Sequence, residues 1–329
     1  MRELTYHRAT DASSAVALVA GDPDARFLGG GTNLVDHLKL GVARPGTLVD
    51  VSRLPLDAVD DLPDGGLRIG AAVRNSDLAA DPRVRRDFPA VARALLAGAS
   101  GQIRHQATTA GNLLQRTRCV YFQDVTTPCN KREPGSGCSA LEGYGRYNAV
   151  LGASEDCVAT HPSDLAVALV AVDARVVVLG PDGERRLPLI DLHRLPGHHP
   201  ERDTVLRHGD LVTAVELPGG PTARASTYAK ARDRASYAFA LVSVAAAVDL
   251  DGDVVRDLRI VWGGVAHRPW RAYIAEEALR GATLTEASVQ EAAGAELAAA
   301  STTRQTAFKV PMVRNLTAHT LLRLAGGAR

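Results

Sequence analysis

All four cysteines of this 329-residue chain, Cys119, Cys129, Cys138 and Cys157, fall inside one 39-residue window. Cysteines that only fill a core would scatter, each serving its own packing site. Four thiolates gathered in one stretch complete the coordination of a single tetrahedral metal ion or of one iron–sulfur centre. The intervening residues Pro128, Pro134, Gly135, Gly137, Gly143 and Gly145 favour a chain wrapped around a centre over a helix or strand. The nearest pair, Cys129 and Cys138, is nine residues apart, which matches neither the close knuckle of zinc sites nor the ferredoxin run, so spacing leaves both metals open. In an oxidising compartment the same residues would read as two disulfides. The first ten residues are polar with no signal-peptide hydrophobic region, so a reducing cytoplasm and free thiols are expected. Export together with a signal-bearing partner subunit is the other route.

Two glycine-bearing segments precede the cysteines. Phe27-Leu28-Gly29-Gly30-Gly31-Thr32-Asn33-Leu34 reads as a strand, a turn and a helix start. Its glycines permit positive φ and close backbone approach, and a helix N-terminus suits a pyrophosphate. It is neither a Rossmann fingerprint nor a P-loop, and a tight structural turn explains it as well. Thr108-Thr109-Ala110-Gly111-Asn112 offers hydroxyls and an amide to phosphate or ribitol oxygens. Asp164 follows Pro162-Ser163 at a helix start, where capping alone accounts for a carboxylate. Lys230 lies on a strand, where lysine commonly marks a solvated face. His161 reads as a loop histidine, and His193, His198 and His199 as solvated residues near the surface loop 195–203.

The elements that must carry these residues begin β-α-β-α-β over the first fifty positions. A strand at 67–73, a helical stretch at 84–97, a helix from Asp164 and a hairpin of 175–179 with 185–189 follow. Pro218-Gly219-Gly220-Pro221 is the clearest linker. Beyond it come strands near 225–231, 238–250 and 254–262, then helices near 270–279, 286–300 and 310–324, an antiparallel sheet backed by helices. A formal charge of +1 from 38 basic and 37 acidic residues excludes a nucleic-acid footprint. No run approaches the roughly 20 apolar residues of a membrane span.

In this order Gly29-Gly30-Gly31-Thr32-Asn33-Leu34, Ala107-Thr108-Thr109-Ala110-Gly111-Asn112-Leu113, Pro162-Ser163-Asp164-Leu165 and Tyr228-Ala229-Lys230 resemble the FAD subunit of the molybdenum hydroxylases. That family includes xanthine dehydrogenase and carbon monoxide dehydrogenase, and the resemblance spans essentially the whole chain. The cysteine segments, with Gln115-Arg116-Thr117-Arg118-Cys119, Pro128-Cys129-Asn130-Lys131-Arg132 and Cys157-Val158-Ala159-Thr160-His161, resemble the medium subunit of bacterial, periplasmic-type aldehyde oxidoreductases. That subunit carries an additional [4Fe-4S] cluster.

The resemblance implies an α+β fold. It consists of a vanillyl-alcohol-oxidase-like FAD-binding domain of two α/β subdomains and a C-terminal three-stranded antiparallel sheet with helices. The parts would be 1–55, 56–220 with the cluster insert at 115–161, and 221–329. For the site it implies FAD held by Arg26, Phe27, Leu28, Gly29, Gly30, Gly31, Thr32, Asn33 and Leu34, by Thr108, Gly111 and Asn112, and by Asp164, Lys230 and Arg118. Cys119, Cys129, Cys138 and Cys157 would ligate the cluster. Ala110 departs from the second glycine that many members have.

The implied role is electron transfer from a large molybdenum-cofactor subunit and a small subunit with two [2Fe-2S] clusters, through FAD, to an external acceptor. No catalytic side chain is expected beyond the flavin. A stand-alone flavin oxidase or reductase is the alternative enzyme, and a zinc-stabilised binding module the alternative of another class.

Overall fold

Asp11 starts the first helix, Ala12–Ala20, by a reciprocal cap: its carboxylate accepts from the Ser14 amide at 2.7 Å, and Asp11 N donates to Ser14 Oγ. The computed structural model describes residues 3–327. Strands β1 (Thr5–Arg8), β2 (Ala25–Leu28) and β3 (Thr47–Asp50) form a parallel sheet in the order β1-β3-β2. Parallel pairing demands crossovers, supplied by that helix and by Leu34–Leu40. In the second helix His37 and Leu38 are buried, while Leu40 is exposed.

The second sheet is antiparallel, in the order β4-β5-β8-β6-β7: β4 (Val59–Asp61), β5 (Leu67–Gly70), β6 (Arg175–Gly180), β7 (Gly183–Pro188) and β8 (Leu211–Leu217). Its central strand β8 has no counterpart among the strands expected from sequence. Leu211 to Val215 are buried on both faces, so no polar alternation marks them. The single helical stretch expected at 84–97 is two helices, Pro82–Asp87 and Pro89–Ala97. Pro89 has no N–H to continue the first and sits at the start of the second.

The C-terminal sheet runs β12-β11-β10-β9, from β9 (Ser226–Ala231), β10 (Val242–Asp251), β11 (Val254–Gly263) and β12 (Trp270–Arg271). A fourth, two-residue edge strand therefore occupies the start of the stretch expected as helix 270–279; the helix itself is Tyr273–Leu279. Both faces of this sheet are covered. Ala245 and Val261 pack with the core under the second sheet, and their neighbours Val244, Ala246, Ile260 and Trp262 pack under Glu286–Glu296 and Lys309–Gly327. Helix Asp164–Ala171 is buried along its whole length between the second sheet and this one.

Lys309 is fully buried in the same region, donating from Nζ to Asn148 O at 2.8 Å and Gly264 O at 2.6 Å. Burial, aided by the nearby Arg146 charge, pushes its amine down to about 7. A neutral amine still has two protons for the two carbonyls. Between pH 7 and the ordinary value of 10.5 the unfolded chain holds a proton that the folded chain has released, so this group makes stability rise with pH across that window. Lys309→Met should cost about 1–3 kcal/mol near neutrality by orphaning the two carbonyls. It should also flatten the rise, which is at most about 1.4 kcal/mol per pH unit. Thermal melts of both proteins at pH 7 and pH 9 check this, and equal pH slopes would contradict it.

Candidate functional site

The two glycine-bearing segments lie against each other. A Cβ on Gly30 would stand 2.2 Å from the Gln106 carbonyl oxygen, and Gln106 Nε2 donates back to Gly30 O at 3.1 Å. Only glycine permits that approach, and Gly31 with φ +76° turns the chain into the next helix. Residues 108–113 are a short capped helix and not an open turn. Thr108 Oγ1 accepts from the Gly111 amide at 3.2 Å, and Thr109 Oγ1 donates to Val73 O at 3.0 Å, so the Thr109 hydroxyl is committed inside the protein.

Beside this junction opens a cavity of about 500 Å³. Thr32 and Asn33 line it from the first segment, Gly111 and Asn112 from the second, and Arg118, Asp164 and Lys230 from further along. The remaining predicted FAD residues are not on its wall. The Arg26 guanidinium bonds the carbonyls of Pro23 and Ala25, and Phe27 packs on the first core. Leu28, Gly29, Gly30, Gly31, Leu34 and Thr108 shape the turns behind it.

Asp164 does not cap its helix; Ser163 does, its Oγ accepting from Ala166 N at 3.0 Å and donating to Asn112 Oδ1 at 2.7 Å. The Asp164 carboxylate instead accepts from Lys230 Nζ at 2.7 Å and from the Tyr228 hydroxyl. Lys230 is thus no solvated lysine: its side chain is 3% exposed. Burial and the adjacent carboxylate drive the Tyr228 phenol well above its ordinary range.

Arg118 stacks over the Phe239 ring at 5.2 Å, and burial pushes its guanidinium down. Its Nε and the Asn75 Oδ1 are both buried without a hydrogen-bond partner, and both residues line the cavity. The cavity wall also carries the polar side chains of Thr32, Asn33 and Asn112, a lining that suits a polar ligand. Asn75 carried no functional signal in the sequence beyond a helix start.

A second cavity of about 260 Å³ shares Arg118, Asp164 and Phe239 with the first and is bordered by Cys119. From there the insert runs through turns, with one short helix Val120–Gln123 and a bridge pairing Cys129 with Cys138. Arg132 ties it together, donating to Tyr121 O at 2.8 Å, Phe122 O at 2.9 Å and Thr127 O. All four cysteines are free. Burial raises the Cys119 thiol and pushes Cys157 up to about 12, with Lys131 opposing the latter; Cys129 and Cys138 act on both, so the sulfurs lie within electrostatic reach of one another. Among the described residues no three His, Cys, Asp or Glu side chains close on a single-ion site.

Around Cys157 lies a polar cluster that the sequence did not announce. His193, expected at the surface, is buried, with Nε2 at 2.9 Å from Leu113 O and its ring stacked on His161 at 4.1 Å. His198 and His199 are exposed and pair with Asp156 and Glu201. Lys131, also buried, and Arg116 share the Asp203 carboxylate; although burial opposes ionisation, the two cations hold Asp203 down at about 2.

The two joined glycine-bearing segments and the polar groups around this cavity make a site suited to a nucleotide cofactor. The family described as "FAD binding domain in molybdopterin dehydrogenase" matches residues 2–220, and "CO dehydrogenase flavoprotein C-terminal domain" matches 226–324. The chain belongs to the FAD-binding medium subunits of the molybdenum hydroxylases. It is 54% identical to the aldehyde oxidoreductase FAD-binding subunit PaoB of Escherichia coli strain K12 over 280 residues, 85% of this chain and 86% of that one. It is 25% identical to the glyceraldehyde dehydrogenase medium chain of Sulfolobus acidocaldarius over 294 residues, 88% and 86% of the two chains. A solved carbon monoxide dehydrogenase from Hydrogenophaga pseudoflava shares the fold with a TM-score of 0.76 at 24% identity, covering 98% of this chain and 96% of that one.

Gly30→Ala should separate the two segments, because even a methyl group overlaps the Gln106 carbonyl. The expected result is a several-fold loss of bound FAD and a fall of about 1–3 kcal/mol in stability. Flavin released on denaturation, counted per chain, measures it; full stoichiometry would show that the junction does not matter for the flavin.

Proposed function

We propose that this chain is the FAD- and [4Fe-4S]-containing electron-transfer subunit of a molybdenum-dependent aldehyde oxidoreductase. It would act with a large molybdenum-cofactor subunit and a small subunit bearing two [2Fe-2S] clusters. When bound, the flavin and the cluster supply the redox chemistry that carries electrons from those partners to an external acceptor. The observation that carries this reading is the Arg118–Cys119 step: one residue lines the cavity beside the glycine-bearing segments and the next is the first of four free thiols in one insert. The 54% identity to a subunit named for aldehyde oxidoreductase supports the substrate class.

This chain's own residues bind and orient. Asn112, Arg118 and Asn75 present polar atoms to the cavity, and the Asp164–Lys230 pair closes its floor. Arg132, Lys131 and Asn130 fix the loops that carry the thiols, Asn130 Oδ1 accepting from Gly137 N at 2.8 Å. A structural zinc would need the sulfurs to converge on one ion. A four-iron centre is gripped at separate irons, so ligands grouped more loosely suit it.

Cys129→Ser should abolish the broad iron–sulfur absorbance and the iron content and lower the yield, because the insert loses its organising centre. Undiminished iron per chain would remove Cys129 from the ligand set. The purified chain alone should reduce a dye after chemical reduction yet show no aldehyde-dependent dye reduction until both partner subunits are added. Aldehyde turnover by the single, molybdenum-free chain would overturn the subunit reading and favour a stand-alone flavoenzyme.

A further inference from the structure

His267 lies on the connection between β11 and β12, far in sequence from the cysteine insert, yet its Nε2 is 3.2 Å from Cys157 Sγ. The approach is built, not incidental. Val150 and Leu151 both donate to Val265 O, at 2.8 and 3.0 Å, and His161 N donates to Ala266 O at 3.0 Å, so backbone bonds stitch the histidine's segment to the insert on both sides of Cys157. Both side chains are buried. The other ring nitrogen, Nδ1, is buried without a partner, so the sulfur is the one polar contact that explains the ring's position.

We infer that His267 is a positioning residue for the iron–sulfur centre: its Nε2–H donates to the Cys157 sulfur and thereby raises the centre's reduction potential. The inference rests on the cluster reading above. A metal-bound thiolate carries no proton and can only accept, which selects the tautomer with hydrogen on Nε2. An N–H aimed at a ligand sulfur stabilises the state holding one more electron, since that state places more negative charge on the sulfurs. Behind Cys157 two cations, the buried Lys131 and the half-buried Arg116, share the single carboxylate of Asp203 and leave one positive charge in excess. That excess acts in the same direction, so Cys157 is the ligand on which both influences converge.

The test uses the chain purified with its partner subunits and an EPR-monitored redox titration of the [4Fe-4S] signal. His267→Leu should make reduction about tenfold less favourable, a midpoint about 59 mV lower for a one-electron couple. His267→Gln, which keeps an N–H donor, should recover most of that shift. Pulsed EPR on wild-type protein labelled with ¹⁵N-histidine should show a histidine nitrogen coupled to the reduced cluster. This measurement decides the matter even if the leucine variant fails to load iron. A wild-type midpoint in His267→Leu, or no histidine coupling in a cluster-loaded wild type, overturns the role of His267 and leaves the cluster reading standing. Wild-type protein without iron beyond its [2Fe-2S] partners overturns both.

Discussion

One buried carboxylate holds the site together. Asp164, at the first turn of a helix buried on every side, receives Lys230 and Tyr228 from the C-terminal sheet. Lys230 also donates to Ala97 O at 3.2 Å, joined there by Arg232 at 2.9 Å, so two cations close the C-terminal end of helix Pro89–Ala97. Three elements from two domains thus meet at one charge pair. Removing one member of such a pair strands the other in a low-dielectric interior, at about 3–5 kcal/mol. The pair also forms part of the cavity wall, so the contact that joins the domains fixes the shape of that cavity.

The cysteine insert is held by the same logic of long-range anchors. Lys131 and Arg116 meet Asp203 on one side. On the other, Gln305 donates to Gly143 O and accepts from Gly145 N, Arg146 pairs with Asp233, and Lys309 bonds Asn148 O. A stretch with one short helix has little local structure of its own, and its thiols are placed by partners more than 50 residues away. The insert is thereby a third component between the two domains, in contact with both.

How much of this was legible follows from how local each signal is. The reciprocal cap at Asp11, the glycine segment and the hairpin around Gly183 depend on neighbours, and the sequence displays them. Tyr228-Ala229-Lys230 had a readable feature too: period two puts Tyr228 and Lys230 on one face of β9. Their shared acceptor, Asp164, lies 66 residues before Lys230, and only the fold joins them. Strand β8 escaped because a strand buried on both faces has no alternation, and the break at Phe88 because a proline at a helix start resembles continuation. The cysteines stood out through composition alone. His193 and His267 did not, because the fold supplies what encloses them: the stack on His161 and the seat beside Cys157.

Two of the buried polar atoms without partners sit on residues of the cavity wall. Arg118 Nε and Asn75 Oδ1 are a donor and an acceptor, both buried and both on residues lining one cavity. Each unmet group of this kind costs about 1–3 kcal/mol in a folded protein. A ligand that binds only the folded chain adds its binding free energy to that of folding. Binding that favours the folded state in this way makes the holo form the stable one. The FAD that this family binds therefore acts on folding as well as on chemistry, because residues of both matched domains wall the cavity.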